Sequence, residues 1–181
     1  KHFEPYDRQI LLAEYRNYKD LQSYKQAMAV LEEGISKFPW DIKFYEAAIM
    51  EYAVNGQNAK DTDPNQAQTY WNRGLELLDE VVRRKQLLEL LPEEQFQGRD
   101  FDLTPFIRQA AGQILYGQSR YEDAASMLMP VTGLDFSDVY VRIGVRYYLA
   151  ALHKMGQSDE ELENRLINAD QNERMYFHQF A

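Results

Sequence analysis

Four carboxylates between positions 92 and 103 are the residues best placed by type to support catalysis. Glu93 and Glu94 are followed by Asp100 and Asp102, and two carboxylic acids at a suitable separation can cleave a glycosidic bond. A proline and a glycine in the same stretch predict a loop. Because carboxylates clustered in an acidic loop are usually solvated, we expect no catalytic residue here, and an enzyme is the least favoured class.

The sequence shows no recognisable metal site. None of His2, His153 and His178 has a partner at the spacing of a helical zinc motif, and we expect His153 to lie at a helix end or core edge. The segment DTDPNQ (61–66) resembles the start of a calcium loop, but it has Gln66 where that loop needs glycine. We predict instead a capped turn that begins a helix at Asp63-Pro64, and we expect no metal and no cofactor.

Composition narrows the remaining classes. The absence of cysteine excludes disulfides, thiolate metal sites and cysteine nucleophiles. The net charge is −9, and the one tight basic cluster, Arg83–Lys85, lies within an acidic helix, so a nucleic-acid partner is not expected. The sequence has no apolar run of about 20 residues that could span a membrane. It begins with Lys1, and we therefore expect a fragment or processed chain whose membrane contact, if any, belongs to a longer protein.

Hydrophobic residues recur at steps of three and four along most of the chain, and alternating strand patterns are nearly absent. The sequence therefore predicts an all-α fold. The predicted helices cover residues 10–18, 24–38, 42–54, 65–91, 104–116, 121–129, 138–155 and 158–169. Gly56, Gly117 and Gly156 are each expected to end a helix, and Ser158 with Glu161 is expected to form a capping box for the last one.

The helices pair into units with internal similarity. YKQAMAVL (24–31) and YEDAASML (121–128) share a tyrosine, an alanine three residues later and a leucine four beyond that. A Gly-Gln dipeptide recurs at positions 56, 117 and 156. We predict four helix–turn–helix repeats, 10–38, 42–91, 104–131 and 138–169, within one domain over residues 1–181. The alternative is a non-repeating helical bundle that uses alanine at helix contacts.

The second helix of the first repeat resembles that of tetratricopeptide repeats (TPR). The matching residues of the first repeat are Tyr24, Ala27, Leu31, Gly34 and Pro39, and those of the third are Gly112, Tyr121, Ala124 and Leu128. The family's Trp-Leu-Gly in the first helix is largely absent. The second repeat also exceeds the period of about 34 residues by a dozen or more.

This resemblance implies a TPR-like α-α superhelix of about four helix pairs, whose first helices line a concave binding surface. By the family's spacing, that surface consists of Arg16, Met50, Gln109, Gln113, Tyr116, Arg146, Tyr147 and His153. Large side chains of this kind are good interface residues. The clamp with which some TPR domains hold a C-terminal carboxylate is not matched, because Leu12 and Arg16 occupy its positions.

Three longer phrases, over residues 38–52, 70–92 and 97–128, resemble a second family. They are similar to the extracytoplasmic C-terminal repeat region of O-antigen ligase/polymerase-like membrane proteins of Gram-positive bacteria. The resemblance implies a non-catalytic module at the bacterial cell envelope, with the glycan chemistry in membrane segments elsewhere.

Three hypotheses for function follow. The first is an extracytoplasmic interaction module of such a membrane protein, which binds a protein, a peptide or a polysaccharide. The second is a cytoplasmic TPR adaptor or regulator that binds a peptide in its concave groove. The third is an enzyme that uses the carboxylates at 93–102. For the loop Pro92–Leu103, three roles stay open at this point: a lid, a bridge between repeats or a plain insertion.

Overall fold

The computed structural model describes residues 5–90 and 101–178, and within these ranges all regular structure is helical. The all-α prediction is confirmed. The helices are α1 (Pro5–Asp20), α2 (Tyr24–Lys37), α3 (Ile42–Ala59), α4 (Pro64–Glu89), α5 (Pro105–Gly117), α6 (Tyr121–Leu128), α7 (Val139–Lys154) and α8 (Glu160–His178), and a 3₁₀ turn covers Met129–Val131. Across the two described ranges, no helix combines the length and the apolar character needed to cross a membrane.

Several helices begin at the side-chain caps that the sequence predicts. Asp63 accepts a hydrogen bond from the backbone N–H of Gln66 at 3.0 Å, directly before α4. Thr104 accepts one from the N–H of Ile107 at 3.3 Å before α5, and Asp138 caps α7 in the same way. The segment DTDPNQ is therefore a capped turn, as predicted. Each cap satisfies a backbone donor that the first turn of a helix leaves unpaired.

Gly56 does not end a helix, and this prediction is wrong. The helix α3 continues to Ala59, and Gly56 is buried inside it. A β-carbon on Gly56 would lie 2.2 Å from Nε1 of Trp71 on α4. The glycine is needed here because two helices approach closely, not because a turn requires its backbone freedom.

The two terminal helices are longer than predicted, and the last one is capped differently. The first helix begins at Pro5 rather than near residue 10, and the last extends to His178 rather than to about residue 169. Asp159, not Ser158, caps the last helix by accepting a hydrogen bond from the N–H of Leu162 at 3.0 Å. The capping-box prediction placed the helix start one residue too early.

Backbone proximity divides the chain into two compact units, residues 1–103 and residues 104–181. The N-terminal unit contains α1–α4 and the C-terminal unit contains α5–α8. Their boundary falls between the second and third predicted repeats. The single domain and the superhelical arrangement of all four repeats stay predictions.

Small residues allow the helices of each unit to pack closely. In the N-terminal unit, a β-carbon on Gly34 of α2 would lie 2.2 Å from the ring of Phe44 on α3. In the C-terminal unit, a β-carbon on Gly112 of α5 would lie 2.3 Å from Leu128 on α6. A further core around α7 and α8 consists of Val131, Val141, Val145, Leu149, Leu162 and Leu166.

Long side chains join α1 to α3 and to Asp41, the residue that caps α3. Arg8 pairs with Asp41, 33 residues further along, and Glu51 pairs with Lys19 and Tyr15, which precede it by 32 and 36 residues. Because the partner lies further along the chain in α3 when the residue lies further along in α1, the two helices run in the same direction. These intervals are close to the repeat length of about 34 residues at which equivalent positions of successive TPR hairpins recur.

Candidate functional site

The eight predicted binding residues are distributed over both units. Arg16 on α1 and Met50 on α3 belong to the N-terminal unit, where the first is exposed and the second half-buried. The other six belong to α5 and α7 of the C-terminal unit. Those two helices pack against each other, so the six residues lie on one pair of neighbouring helices.

A tyrosine cluster forms where α5, α6 and α7 meet. The ring centroids of Tyr116 and Tyr147 lie 5.5 Å apart at an interplanar angle of 67°, and those of Tyr116 and Tyr121 lie 5.3 Å apart at 60°. These are edge-to-face contacts, the arrangement that aromatic rings prefer. The structure thus brings together two predicted site residues and adds Tyr121, which the sequence had identified only as a repeat position.

All three rings of the tyrosine cluster are half-buried, so part of each stays accessible. Burial raises the pKa of Tyr147 above its ordinary value, and the neighbouring Tyr116 raises it further. The hydroxyl of Tyr147 is therefore protonated at neutral pH and can both donate and accept a hydrogen bond. A depression of about 280 Å³ adjoins the cluster, and its lining residues are Ser119, Arg120, Tyr121, Glu122, Asp123 and Met155.

Gln109 and Gln113 lie in the packed interior of the C-terminal unit and not on an open surface. Gln109 is 1% exposed and Gln113 9%, and Nε2 of Gln109 donates to Oε1 of Gln113 at 3.2 Å. A β-carbon on Gly144 of α7 would lie 3.6 Å from Cβ of Gln109. Gln109 therefore lies in the contact between α5 and α7, where a ligand on the surface does not reach it.

The two predicted basic residues of α7 are exposed, but they differ in their surroundings. Arg146 donates through Nη2 to both carboxylate oxygens of Asp170 on α8, each at 2.7 Å. Its charge is therefore matched by a residue that the sequence analysis did not anticipate. His153 lies in the last turn of α7, where a positive charge complements the helix dipole.

Of the four carboxylates in the loop, the structure describes only Asp102. Glu93, Glu94 and Asp100 lie outside the described residues. Asp102 is exposed and accepts a hydrogen bond from Nζ of Lys85 at 2.8 Å, so it takes part in a surface ion pair. In residues 5–90 and 101–178, no group of three or more histidine, aspartate or glutamate side chains is arranged to hold a metal ion.

Buried polar networks in the N-terminal unit were missed by the sequence analysis. Glu32 on α2 accepts hydrogen bonds from Tyr52 of α3 at 2.7 Å and from Arg73 of α4 at 2.8 and 2.7 Å. Burial alone would raise the pKa of Glu32, but these hydrogen bonds outweigh it and hold the pKa below its ordinary value. The network ties three helices together and serves their packing.

A similar network joins α1 to α3. The Tyr15 hydroxyl donates to Glu51 at 2.7 Å, and Lys19 pairs with the same carboxylate. Burial and the hydrogen bond to Glu51 raise the pKa of Tyr15 to about 12. Tyrosines on inward-facing positions of α1 and α3 were the available signal, but the partners of Tyr15 and Tyr52 lie 36 and 20 residues away in sequence and follow no local pattern.

Comparison of the chain with models of protein families, with curated proteins and with solved structures finds no match in any of the three.

Proposed function

We propose that this chain is a non-catalytic interaction module that binds a protein or peptide through the face that α5 and α7 form in the C-terminal unit. The observation that carries the proposal is the contact between Tyr116 and Tyr147. It places half-buried rings from α5 and α7, the first helices of two successive hairpins, side by side at 5.5 Å.

The composition of this face fits a binding role. Tyrosine, tryptophan and arginine are the residues most enriched where single side chains dominate binding energy, and the tyrosine cluster supplies three such side chains at one place. Tyrosine is also rigid, so little conformational entropy is lost when a ligand covers it. The same rings can stack against sugars, and a polysaccharide ligand is therefore included in the test.

We further propose that the module lies on the extracytoplasmic face of a bacterial membrane, as part of an O-antigen ligase/polymerase-like protein. The phrases over 38–52, 70–92 and 97–128 support this location. To test it, the full-length protein is given a tag directly beside this module, and intact protoplasts that contain it are treated with external protease. Loss of the tag from a membrane fraction supports the proposal. A protected, soluble tag supports a cytoplasmic adaptor instead.

The binding surface is tested by substitution. Partners are first identified by photo-crosslinking from position 147 in the full-length protein, and cell-envelope polysaccharides are screened in parallel. The affinity of each identified partner is then measured by calorimetry. Tyr147→Ala is expected to weaken binding at least about tenfold, corresponding to about 1.4 kcal/mol.

Tyr140→Ala is the matched control, because Tyr140 is an exposed tyrosine on the same helix that packs on Phe106 outside the cluster. It is expected to change the affinity less than about twofold. If Tyr147→Ala binds every identified partner and polysaccharide as tightly as the unmodified chain, the proposed surface is refuted.

A further inference from the structure

An aromatic slot on the N-terminal unit holds the ring of Phe101. The slot consists of Trp40, Tyr45 and Arg84. The Phe101 ring centroid lies 5.9 Å from that of Trp40 at 69° and 5.3 Å from that of Tyr45 at 83°. Phe101 is only 4% exposed, although the segment 101–103 that carries it has no regular secondary structure.

The walls of the slot are held by bonds that do not involve Phe101. The Tyr45 hydroxyl donates to Glu80 at 2.9 Å, and Arg84 donates to the same carboxylate at 3.0 and 2.5 Å. The Arg84 guanidinium also lies 5.1 Å from the centre of the Trp40 ring. A site whose walls are fixed in advance loses little entropy on binding.

A charged contact adjoins the slot. Asp102 follows Phe101 directly and accepts a hydrogen bond from Nζ of Lys85 at 2.8 Å, and both side chains are exposed. Trp40 is itself 37% exposed, so the slot opens at the protein surface. The recognised pattern is therefore an aromatic ring followed by a carboxylate.

Lys85 gives the site its preference for an acidic residue. It belongs to the one run of three basic residues in the sequence, Arg83–Lys85. Arg84 is a wall of the slot and is paired with Glu80, whereas Lys85 contacts the occupant through Asp102. A carboxylate that follows the aromatic ring therefore meets a lysine at the protein surface, and an ion pair between exposed groups adds a small preference for it.

We propose that this slot is a binding site for a peptide segment in which an aromatic residue precedes an acidic one. Phe101 and Asp102 are its intramolecular occupant, and a partner segment of the same chemistry competes with them. Because the occupant belongs to the same chain, its effective concentration is high, and the slot binds a partner only when that partner displaces Phe101. The site is independent of the tyrosine cluster.

The test removes the Phe101 ring from the slot and adds the ligand as a separate peptide. Phe101→Ala is combined with Trp71→Phe, which leaves Trp40 as the only tryptophan. The probe is the hexapeptide RDFDLT, the sequence of residues 99–104, followed by Trp40 fluorescence. We expect saturable binding with a dissociation constant on the order of 1 mM, because one ring and one exposed ion pair are recognised.

Two comparisons make the result specific. The peptide RDADLT, which lacks the ring, and the Trp71→Phe chain that retains Phe101 should each give at least about tenfold weaker binding. Absence of saturable binding to the emptied slot, or equal binding of RDFDLT and RDADLT, would overturn the proposal.

A charge reversal tests the role of Lys85. When Lys85→Glu is added to the chain that lacks Phe101, the peptide RDFKLT should bind more tightly than RDFDLT, which reverses the original preference. An unchanged preference counts against the site.

If circular dichroism shows that Phe101→Ala does not fold, Asp102→Asn replaces it. That variant keeps the Phe101 ring but removes the ion pair between Asp102 and Lys85, so Phe101 is held less tightly. The peptide RDFDLT should then change Trp40 fluorescence at a lower concentration than it does with the unmodified chain. Equal responses would refute competition.

Discussion

Gly34 marks the closest approach between α2 and α3. A β-carbon at this position would lie 2.2 Å from Cδ1 and 2.3 Å from Cε1 of Phe44, well inside the contact distance of two carbon atoms. Phe44 is fully buried, and its ring stacks on Phe38 at 5.9 Å. The ring therefore cannot rotate away without displacing a neighbour, and Gly34→Ala forces the two helices apart.

Two opposing effects determine the size of the change. Alanine is favoured over glycine inside a helix by about 1 kcal/mol. Forcing an extra carbon into a packed core costs about 1–3 kcal/mol, and so short a distance to a confined ring places this case near the upper end. We expect Gly34→Ala to lower the free energy of unfolding by about 2 kcal/mol, which is roughly a thirtyfold change in the unfolding equilibrium.

Urea unfolding followed by tryptophan fluorescence measures this change in the relevant unit, because both tryptophans, Trp40 and Trp71, lie in α2–α4 or the turn between them. Gly133→Ala is the control, and because it lies in the C-terminal unit its unfolding is followed by far-UV circular dichroism. A β-carbon there meets nothing within 4 Å, and we expect a change within about 0.5 kcal/mol. In a Phe44→Leu background the cost of Gly34→Ala should fall, since the shorter side chain vacates the space. An equal cost in both backgrounds, or a stabilised Gly34→Ala chain, would show that this contact does not limit the packing.

Two further predictions concern polar groups at helix contacts of the N-terminal unit. The pKa of Glu32 is lowered in the folded state. Its ionised form therefore stabilises the fold above its ordinary pKa of 4.5, and this stabilisation is lost as the pH falls through the folded pKa. The difference in the free energy of unfolding between wild type and Glu32→Gln, measured with urea, should narrow from pH 6 to pH 3, and a difference independent of pH would contradict this. Trp71 is 5% exposed, and its Nε1–H has no hydrogen-bond partner in the described residues. Trp71→Phe should therefore cost less than about 1.5 kcal/mol in thermal unfolding, whereas Trp71→Ala should cost about 3–5 kcal/mol. Similar losses for the two variants would contradict this expectation.

Most helix starts could be predicted because their signals are local. Asp63 followed by Pro64 places a side-chain acceptor and a residue without an N–H where the first turn of a helix needs them, and α4 begins there. Thr104 followed by Pro105 does the same for α5. These signals act within three or four residues, so no knowledge of the tertiary structure is required to read them.

Glycine positions could not be interpreted in the same way. The dipeptide Gly-Gln at 56, 117 and 156 suggested three helix ends, yet the three glycines have different roles. Gly156 follows α7 and has a φ of +72°, a conformation that glycine adopts easily. Gly117 is the last residue of α5, but Gly56 lies inside α3 against Trp71. Whether a glycine provides a turn or a close contact depends on a residue distant in sequence.

The candidate site shows the same division. Tyr116 and Tyr147 were selected by repeat spacing, and they do meet. Gln109 was selected by the same spacing but is buried, because α5 packs against both α6 and α7 and leaves little of its surface free. Repeat spacing identifies equivalent positions along the chain, whereas exposure depends on how many neighbours cover each helix.

The sequence intervals between contacting residues locate the extra length of the second predicted repeat. Contacts of α1 with α3 and its cap span 32 to 36 residues, whereas the contact between Glu32 of α2 and Arg73 of α4 spans 41. The extra residues must therefore lie between the part of α3 that contacts α1 and the part of α4 that contacts α2. The extension of α3 past Gly56 and the turn before Pro64 occupy that interval. The departure from the period of about 34 residues thus begins beyond Glu51, and the register between α1 and α3, the helices that carry Arg16 and Met50, keeps the shorter interval.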